Sequence, residues 1–566
     1  MSLKIALAQL NPIIGDIQNN KIKAIEEIKK AQENSADLII FPELFLVGAP
    51  LFNICKRYPK IIENNLSALN EITQNNCEIN TIIGFAELNK EKNLQNCTAL
   101  ISNQKIIKIF KQTPANTLPA PQDRIFEIKN KKFGLLIGDE FKNPDFIKLF
   151  ADLKLDYIIV QSNQTTRLNS HYHLQKALKN LTNSKVIFIN QTGAVDGLVF
   201  AGVSQVLDEN SKLLAQAEFL ENDALYYIEN KNNKIAKIPT GLDFEPKKSF
   251  DLNYENDLER TYLSVKKAIS QYFKINGFKM AVLGLSGGLD STISAVLLAD
   301  ALGKENVIGV SMPSKITSDE SKNDAKILAQ NLGIHFYEVE IKEMVNASKT
   351  TFDKPFDYLE NKLNTRYKNS LTMDNIQARS RAMILWGISN EFGATLPIAT
   401  SDKSELYMGY ATINGDMSGG FAPLSDITKT KLFALGHWMN KNREQKNAIP
   451  ENILQKPPGA ELAINPKTGK PLCAEEALMP YEFLDETIWR VENLAQNADE
   501  MLNEEFLYEK KYKISKEQKN EWLEKFAKRV QSAQFKCGLM PTGAIVDENS
   551  ISKIEYFQPI CAKINF

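Results

Sequence analysis

The stretch Gly284-Leu285-Ser286-Gly287-Gly288-Leu289-Asp290-Ser291-Thr292 constrains this chain more than any other. An apolar run, Met280–Leu285, leads into it, and a helical pattern over Leu289–Leu302 comes after. Adjacent glycines let the backbone turn sharply and bring its N–H groups close to anionic oxygens, and the helix beyond adds its positive N-terminal end. Ser286, Ser291 and Thr292 can donate further hydrogen bonds. The lysine of the GxxxxGK[ST] loop is absent, so the loop suits a departing pyrophosphate rather than a transferred γ-phosphate. Asp290 can add a carboxylate ligand for a Mg²⁺ ion bridging such phosphates. A bare glycine turn at a strand–helix corner is the plain alternative. The full string S-G-G-x-D-S in this setting weighs against it, and the loop is expected to bind a nucleotide.

Beyond the loop, Val307–Met312 is apolar, Ser318–Leu332 is helical and Phe336–Ile341 alternates. That strand–helix order predicts a doubly wound parallel sheet in an α/β fold. It does not account for the whole chain. The 566 residues exceed the roughly 250–300 that one hydrophobic core serves. The first half carries strand candidates of its own at Ile5–Ala8, Leu38–Phe41, Thr81–Phe85, Ile106–Phe110, Phe133–Ile137, Tyr157–Val160 and Val186–Ile189. Several are continuously apolar, as in sheets covered on both faces. The Asn-, Lys- and Pro-rich segment Asn230–Lys248 reads as a linker, so domains are expected over residues 1–240 and 250–566. Past Glu482, the residues Trp489, Leu494 and Met501 are spaced like one face of a helix.

Charge and cysteine content narrow the function. Lys and Arg number 68 against 69 Asp and Glu, a formal charge of −1, whereas a nucleic-acid binder usually carries a basic excess. The six cysteines (55, 77, 97, 473, 537 and 561) form no CxxC pair, so neither a zinc site nor a disulfide framework is readable. The first apolar stretch is too short for a signal peptide, and no run approaches the ~18 residues of a membrane span. A soluble cytoplasmic protein without membrane or nucleic-acid partners is expected.

The string S-G-G-L-D-S-T resembles the pyrophosphatase loop of the N-type ATP pyrophosphatases. The residues C-terminal to it are similar to those of the NAD⁺ synthetases rather than of GMP or asparagine synthetases. Met312-Pro313-Ser314, Ser318, Ser321 and Asp324-Ala325 come first, then Asp374-Asn375-Ile376-Gln377-Ala378-Arg379 and Thr400-Ser401-Asp402-Lys403-Ser404-Glu405. Met408-Gly409-Tyr410-Ala411-Thr412, Gly415-Asp416-Met417 and Pro423-Leu424-Ser425-Asp426 with Lys429-Thr430 complete the series. These match that family's N-I-Q-A-R, T-x-x-K-S-E, G-Y-x-T and G-D-M blocks, and the resemblance runs from about Leu252 onward. It implies that the nicotinate carboxylate of deamido-NAD⁺ attacks the α-phosphorus of ATP, expelling pyrophosphate, and that ammonia then displaces AMP. It further implies that Gly284, Ser286, Gly287, Gly288, Asp290, Ser291 and Thr400 bind ATP. Asp290 and Glu405 would hold Mg²⁺, and Asn375, Glu405 and Lys536 would meet deamido-NAD⁺. Lys536 is followed by Cys537 where the family carries Arg, and Pro457-Pro458-Gly459-Ala460-Glu461-Leu462 departs from P-S-A-E-L.

The first half resembles the nitrilase (carbon–nitrogen hydrolase) family, the glutaminase part of glutamine-dependent NAD⁺ synthetases, which implies a nitrilase-like α/β-β/α sandwich. Phe41-Pro42-Glu43-Leu44-Phe45-Leu46-Val47-Gly48 matches its F-P-E-L-x-L-x-G block, with Glu43 as general base. Lys111 matches the oxyanion-stabilising lysine. The nucleophilic cysteine should come next, in G-V-x-I-C-E-D, but the sequence reads Gly134-Leu135-Leu136-Ile137-Gly138-Asp139-Glu140. Glycine cannot form the thioester that this route requires. Cys97 reads as a buried small hydrophobe rather than a substitute. Pro114-Ala115-Asn116-Thr117, Gln161-Ser162-Asn163-Gln164 and Gly193–Phe200 have drifted as well. Glu43 and Lys111 would then persist as a buried ion pair. The expectation is an NAD⁺ synthetase fed by free ammonia, homo-oligomeric by analogy, with a silent amidase-like domain. The alternatives are a glutamine-hydrolysing synthetase with an unrecognised nucleophile, and an adenylate-binding or tRNA-directed protein that makes no NAD⁺.

Overall fold

Alternation along the first strand sets the layers of the N-terminal unit. In β1 (Lys4–Gln9), Ile5 and Leu7 join one apolar cluster while Ala6 and Ala8 join another. β2 (Leu38–Ile40), β3 (Asn80–Leu88), β4 (Leu94–Ser102) and β5 (Lys105–Lys111) extend the same sheet. A second sheet uses β6 (Ile125–Ile128), β7 (Lys131–Ile137), β8 (Tyr157–Ser162) and β9 (Lys185–Asn190). A short ribbon pairs β10 (Thr192–Val195) with β11 (Leu198–Ala201), and β12 (Gln205–Leu207), β13 (Leu213–Gln216) and β14 (Asp223–Ile228) come after it. The orders are β14-β1-β2-β3-β4-β5 and β13-β12-β9-β8-β7-β6, with β1-β2-β3 and β7-β8-β9 parallel. Ile5, Leu7, Ile40 and Ile82 of one sheet meet Phe133, Leu135, Ile159 and Ile187 of the other. Helices Ile17–Glu33 and Lys60–Asn75 cover the outer face of the first sheet through Ala24, Ile28, Leu69 and Ile72. Helices Pro144–Ala151 and Ser170–Leu178 cover the second through Phe146, Phe150, Leu174 and Leu178. The result is a helix–sheet–sheet–helix sandwich, as expected.

This computed structural model describes all residues except 1, 52–53, 77, 115–116, 182, 243–244, 364–370, 457–458, 465–470 and 553–566. Cys77, Cys561, Ala115, Asn116, Pro457 and Pro458, singled out above, lie outside the described residues. The chain divides into Met1–Ala194 with Leu198–Pro246, and Val195–Gly197 with the residues from Lys247 onward.

The C-terminal unit is built on four parallel strands, β15 (Met280–Gly284), β16 (Val307–Ser311), β17 (His335–Glu338) and β18 (Thr395–Pro397), in the order β17-β16-β15-β18. Helix Leu289–Leu302 is apolar and buried along Leu289 and Ser291–Leu298, as a helix enclosed in a core must be. Leu385 of helix Thr372–Glu391 packs with Val282 and Val310. The expected helical stripe through Trp489, Leu494 and Met501 is interrupted. Helix Tyr481–Leu494 ends at Ala495, which adopts φ +53°, and Met501 belongs to a separate helix, Ala498–Leu502. Met501 is buried with Phe483 and Leu484, whereas Leu494 is exposed. Among the described residues no helix is long and apolar enough to cross a membrane.

Candidate active site

The glycine-rich loop lies between β15 and helix Leu289–Leu302, beyond the carboxyl end of the parallel sheet where such folds bind ligands. Gly287 has φ +77°, and a Cβ there would fall 2.2 Å from the Ser321 carbonyl oxygen, so only glycine fits. Ser286 is exposed at the turn. Its hydroxyl accepts from the Gly288 N–H at 3.2 Å and lies 3.1 Å from the Ser291 hydroxyl. Gly288 is the N-cap of the helix and makes no side-chain cap bond, so the N–H groups of the first turn lack a side-chain partner from it.

Asp290, in the first turn of that helix, reaches Lys429, a residue of the Lys429-Thr430 pair to which the sequence assigns no role. Lys429 Nζ lies 2.7 Å from Asp290 Oδ1, 2.6 Å from Asp402 Oδ2 and 2.9 Å from Glu405 Oε1. Its side chain is only 1% exposed. Asp402 caps helix Lys403–Tyr407 by accepting from the Glu405 N–H at 3.0 Å, which brings both carboxyl groups to the same side. Burial pushes the Glu405 carboxyl up to about 7, with Asp290 adding to the push and Lys429 opposing it. Burial also raises Asp402 well above the usual carboxylate range. Three ionised carboxyl groups around one ammonium leave two net negative charges, so at neutral pH the cluster holds a proton or attracts a cation. One oxygen from each of Asp290, Asp402 and Glu405 lies within 4.8 Å of the others, a hard donor set that fits Mg²⁺. Asp402 and Lys429, which stand in the motif blocks of the sequence but receive no role there, thus join Asp290 and Glu405 in this cluster.

Two of the remaining expected residues, Asn375 and Lys536, meet one segment, Gly409–Thr412. Asn375 Oδ1 accepts from the Thr412 hydroxyl at 2.9 Å. Lys536 Nζ donates to the carbonyls of Gly409 (2.8 Å) and Ala411 (2.7 Å). Gly409, at φ +59°, allows this approach, since a Cβ would meet Ala533 Cβ at 2.2 Å. Thr400 is half-buried just beyond β18, two residues before Asp402.

In the N-terminal unit, Glu43 comes after β2 and Gly138 after β7, both beyond the carboxyl ends of parallel strands. Glu43 accepts from Asn96 Nδ2 (2.6 Å) and Asn163 Nδ2 (3.0 Å). The expected Glu43–Lys111 pair is not formed. Phe110 is buried, so the next residue of β5 faces outward, and Lys111 pairs with Glu87 while remaining 55% exposed. Gln112 occupies that place instead, donating to the Ile137 carbonyl at 3.3 Å and accepting from Asn96 Nδ2 at 3.2 Å. Gly138 has φ +61°, and a Cβ on it would fall 2.5 Å from Gln112 Nε2 and 2.7 Å from Glu43 Oε1. The turn is held by Glu140, which accepts from the Ile137 and Thr113 N–H groups and pairs with buried Arg124 at 2.6 Å. Cys97 is enclosed in the core between sheet and helices, where burial pushes its thiol up to about 12.

Residues 261–536 match the NAD synthase family and residues 4–236 match the Carbon-nitrogen hydrolase family. The glutamine-dependent NAD(+) synthetase of Thermotoga maritima is 32% identical over 531 residues, which cover 86% of this chain and 88% of that protein. The chain belongs to the glutamine-dependent NAD(+) synthetase family. Its members are ligases that form a C–N bond. The glutamine-dependent NAD⁺ synthetase of Acinetobacter baumannii, solved in complex with ADP, is 27% identical and matches 99% of this chain and 98% of that one with a TM-score of 0.69. A glutamine-dependent NAD(+) synthetase from Cytophaga hutchinsonii, 18% identical, shares the fold at a TM-score of 0.79 over 99% of this chain and 98% of that one.

Burial pushes the Glu43 carboxyl up to about 8, with Asp139 adding to the push and the Asn96 amide opposing it; Glu140 and Lys142 are the other charged groups around it. An unfolded Glu titrates near 4.5. Between about 4.5 and 8 the folded state thus keeps a proton that the unfolded state has lost, and stability falls as pH rises, by up to about 1.4 kcal/mol per pH unit. Glu43→Gln is expected to remove this slope in urea unfolding and to gain on the wild type as pH approaches 8. Midpoints that track each other across the window would contradict a protonated Glu43.

Proposed function

We propose that the chain makes NAD⁺ from deamido-NAD⁺, ATP and free ammonia, and that its amidase-like unit does not release ammonia from glutamine. Gly138 carries the reading. The position of the required thiolate has no side chain, and the space a Cβ would need is taken by Gln112 and Glu43.

In the synthetase unit, positioning and charge neutralisation supply the catalysis. The N–H groups of the Ser286–Ser291 loop, with the Ser286 and Ser291 hydroxyls, would bind the departing pyrophosphate, and Thr400 would contact ATP. Lys429 offers a fixed, desolvated cation beside the same loop. Asp290, Asp402 and Glu405 would hold Mg²⁺, which when bound neutralises phosphate oxygens. Asn375 and Lys536 brace the segment Gly409–Asp416, where the nicotinate end of deamido-NAD⁺ would be aligned. The carboxylate attacks the α-phosphorus and pyrophosphate leaves. Ammonia then forms the amide and AMP leaves. Pure protein given deamido-NAD⁺, Mg-ATP and ammonium is expected to form NAD⁺ and AMP in equal amounts. ADP formation, or AMP without NAD⁺, would contradict the reading.

A further inference from the structure

Helix Tyr481–Leu494 contributes nothing to the chemistry described above, yet it grips helix Lys403–Tyr407 residue by residue. The Tyr481 hydroxyl donates to Glu405 Oε1 at 3.4 Å, the Ser404 hydroxyl donates to Asp485 Oδ1 at 2.5 Å, and Lys403 Nζ donates to Glu492 Oε2 at 2.8 Å. Positions 481, 485 and 492 are four and seven residues apart, which places them on one helical face. Three consecutive residues of the short helix are thus each met by one side chain of that face, and Glu405 at its end belongs to the carboxylate cluster.

Asp485 also reaches a second element. Its Oδ2 accepts from the Thr430 N–H (2.8 Å) and the Thr430 hydroxyl (2.7 Å). The Ser404 hydroxyl in turn accepts from the Lys429 N–H at 2.8 Å. Asp485 is 1% exposed and Ser404 is fully buried. One buried carboxylate therefore ties the start of helix Lys429–Asn442, which carries Lys429, to the helix that carries Glu405 and is capped by Asp402.

We propose that Asp485 is a positioning residue, and that the Tyr481–Leu494 face sets the spacing between the Lys429 ammonium and the carboxylates that would hold the divalent cation of Mg-ATP. The proposal rests on the synthetase reading only for the identity of that ligand. An asparagine at position 485 keeps the shape but turns an N–H₂ group toward donors, Thr430 or Ser404, so one set of bonds is lost. Displacements of about 1 Å at a reacting site cost on the order of 10²-fold.

The test is calorimetric titration of the full chain with Mg-ATP in the absence of deamido-NAD⁺, so that no turnover is needed. Asp485→Asn is expected to weaken Mg-ATP about tenfold or more and to raise the KM for ATP similarly, while the KM for deamido-NAD⁺ stays within about twofold. Mg-ATP binding at wild-type strength in folded Asp485→Asn would overturn the proposal. So would an equal loss for both substrates accompanied by a lower urea midpoint. Should that variant not fold, Thr430→Val, which removes one donor to Asp485 and keeps the N–H, decides in its place. About threefold weaker Mg-ATP supports the proposal and unchanged binding overturns it. A wild type that binds Mg-ATP but makes no NAD⁺ would refute the function and leave the positioning result standing.

Discussion

Replacing Lys429 by methionine is expected to lower kcat/KM for ammonium-driven NAD⁺ formation by about 10³-fold, equivalent to ~4 kcal/mol of transition-state stabilisation. Methionine preserves most of the buried stem and deletes the charge. The ammonium lies within 2.9 Å of three carboxyl groups and beside the loop that would receive pyrophosphate. Without it, developing negative charge on the phosphates would face an uncompensated acidic wall. Removing one partner from a buried ionic group also costs about 3–5 kcal/mol of stability, so the rate must be read per folded molecule from a parallel unfolding curve. A folded variant within tenfold of wild type would remove Lys429 from the chemistry.

The second large effect concerns the amidase-like unit. Gly138→Cys is expected to destabilise that unit by about 2–5 kcal/mol and to leave glutamine hydrolysis undetected. A non-glycine residue in the left-handed region costs about 1–2 kcal/mol, and forcing atoms into occupied space adds about 1–3 kcal/mol. The occupants are Gln112, whose Nε2 would lie 2.5 Å from the new Cβ, and Glu43, whose Oε1 would lie 2.7 Å from it. Adding Gln112→Ala should clear the first contact and let an electrophilic glutamine analogue label the new cysteine about tenfold faster than in the single variant. Robust glutaminase activity in Gly138→Cys alone would show that only the nucleophile had been lost.

These two sites differ in how far they are legible in the sequence. The nucleotide loop is local: strand, glycines and helix are contiguous, and Gly287 is demanded by a backbone conformation that few other residues adopt. The apolar strands of the N-terminal unit, β1, β2, β3, β5, β7, β8 and β9, are legible for the same reason, whereas β4, β6, β12, β13 and β14 carry no run that singles them out. Lys111 is misplaced by motif matching because its direction depends on strand parity. Phe110 points inward, so Lys111 points outward, and Gln112 beyond the last residue of β5 turns in. Lys429 stands in the motif series but receives no role, because its partner Asp290 is 139 residues away and a lysine in a charged, helical context looks like a surface residue. The break at Ala495 carries no glycine or proline to announce it.

The most direct measurement is the nitrogen-donor ratio: initial rates of NAD⁺ formation by the purified chain with Mg-ATP and deamido-NAD⁺, supplied with saturating ammonium or with ammonia-free glutamine. Glutamine is expected to support less than about 1% of the ammonium rate, since Gly138 offers no thiolate to form the thioester. Comparable rates from the two donors would contradict a silent amidase-like unit and would require a nucleophile other than the residue at position 138.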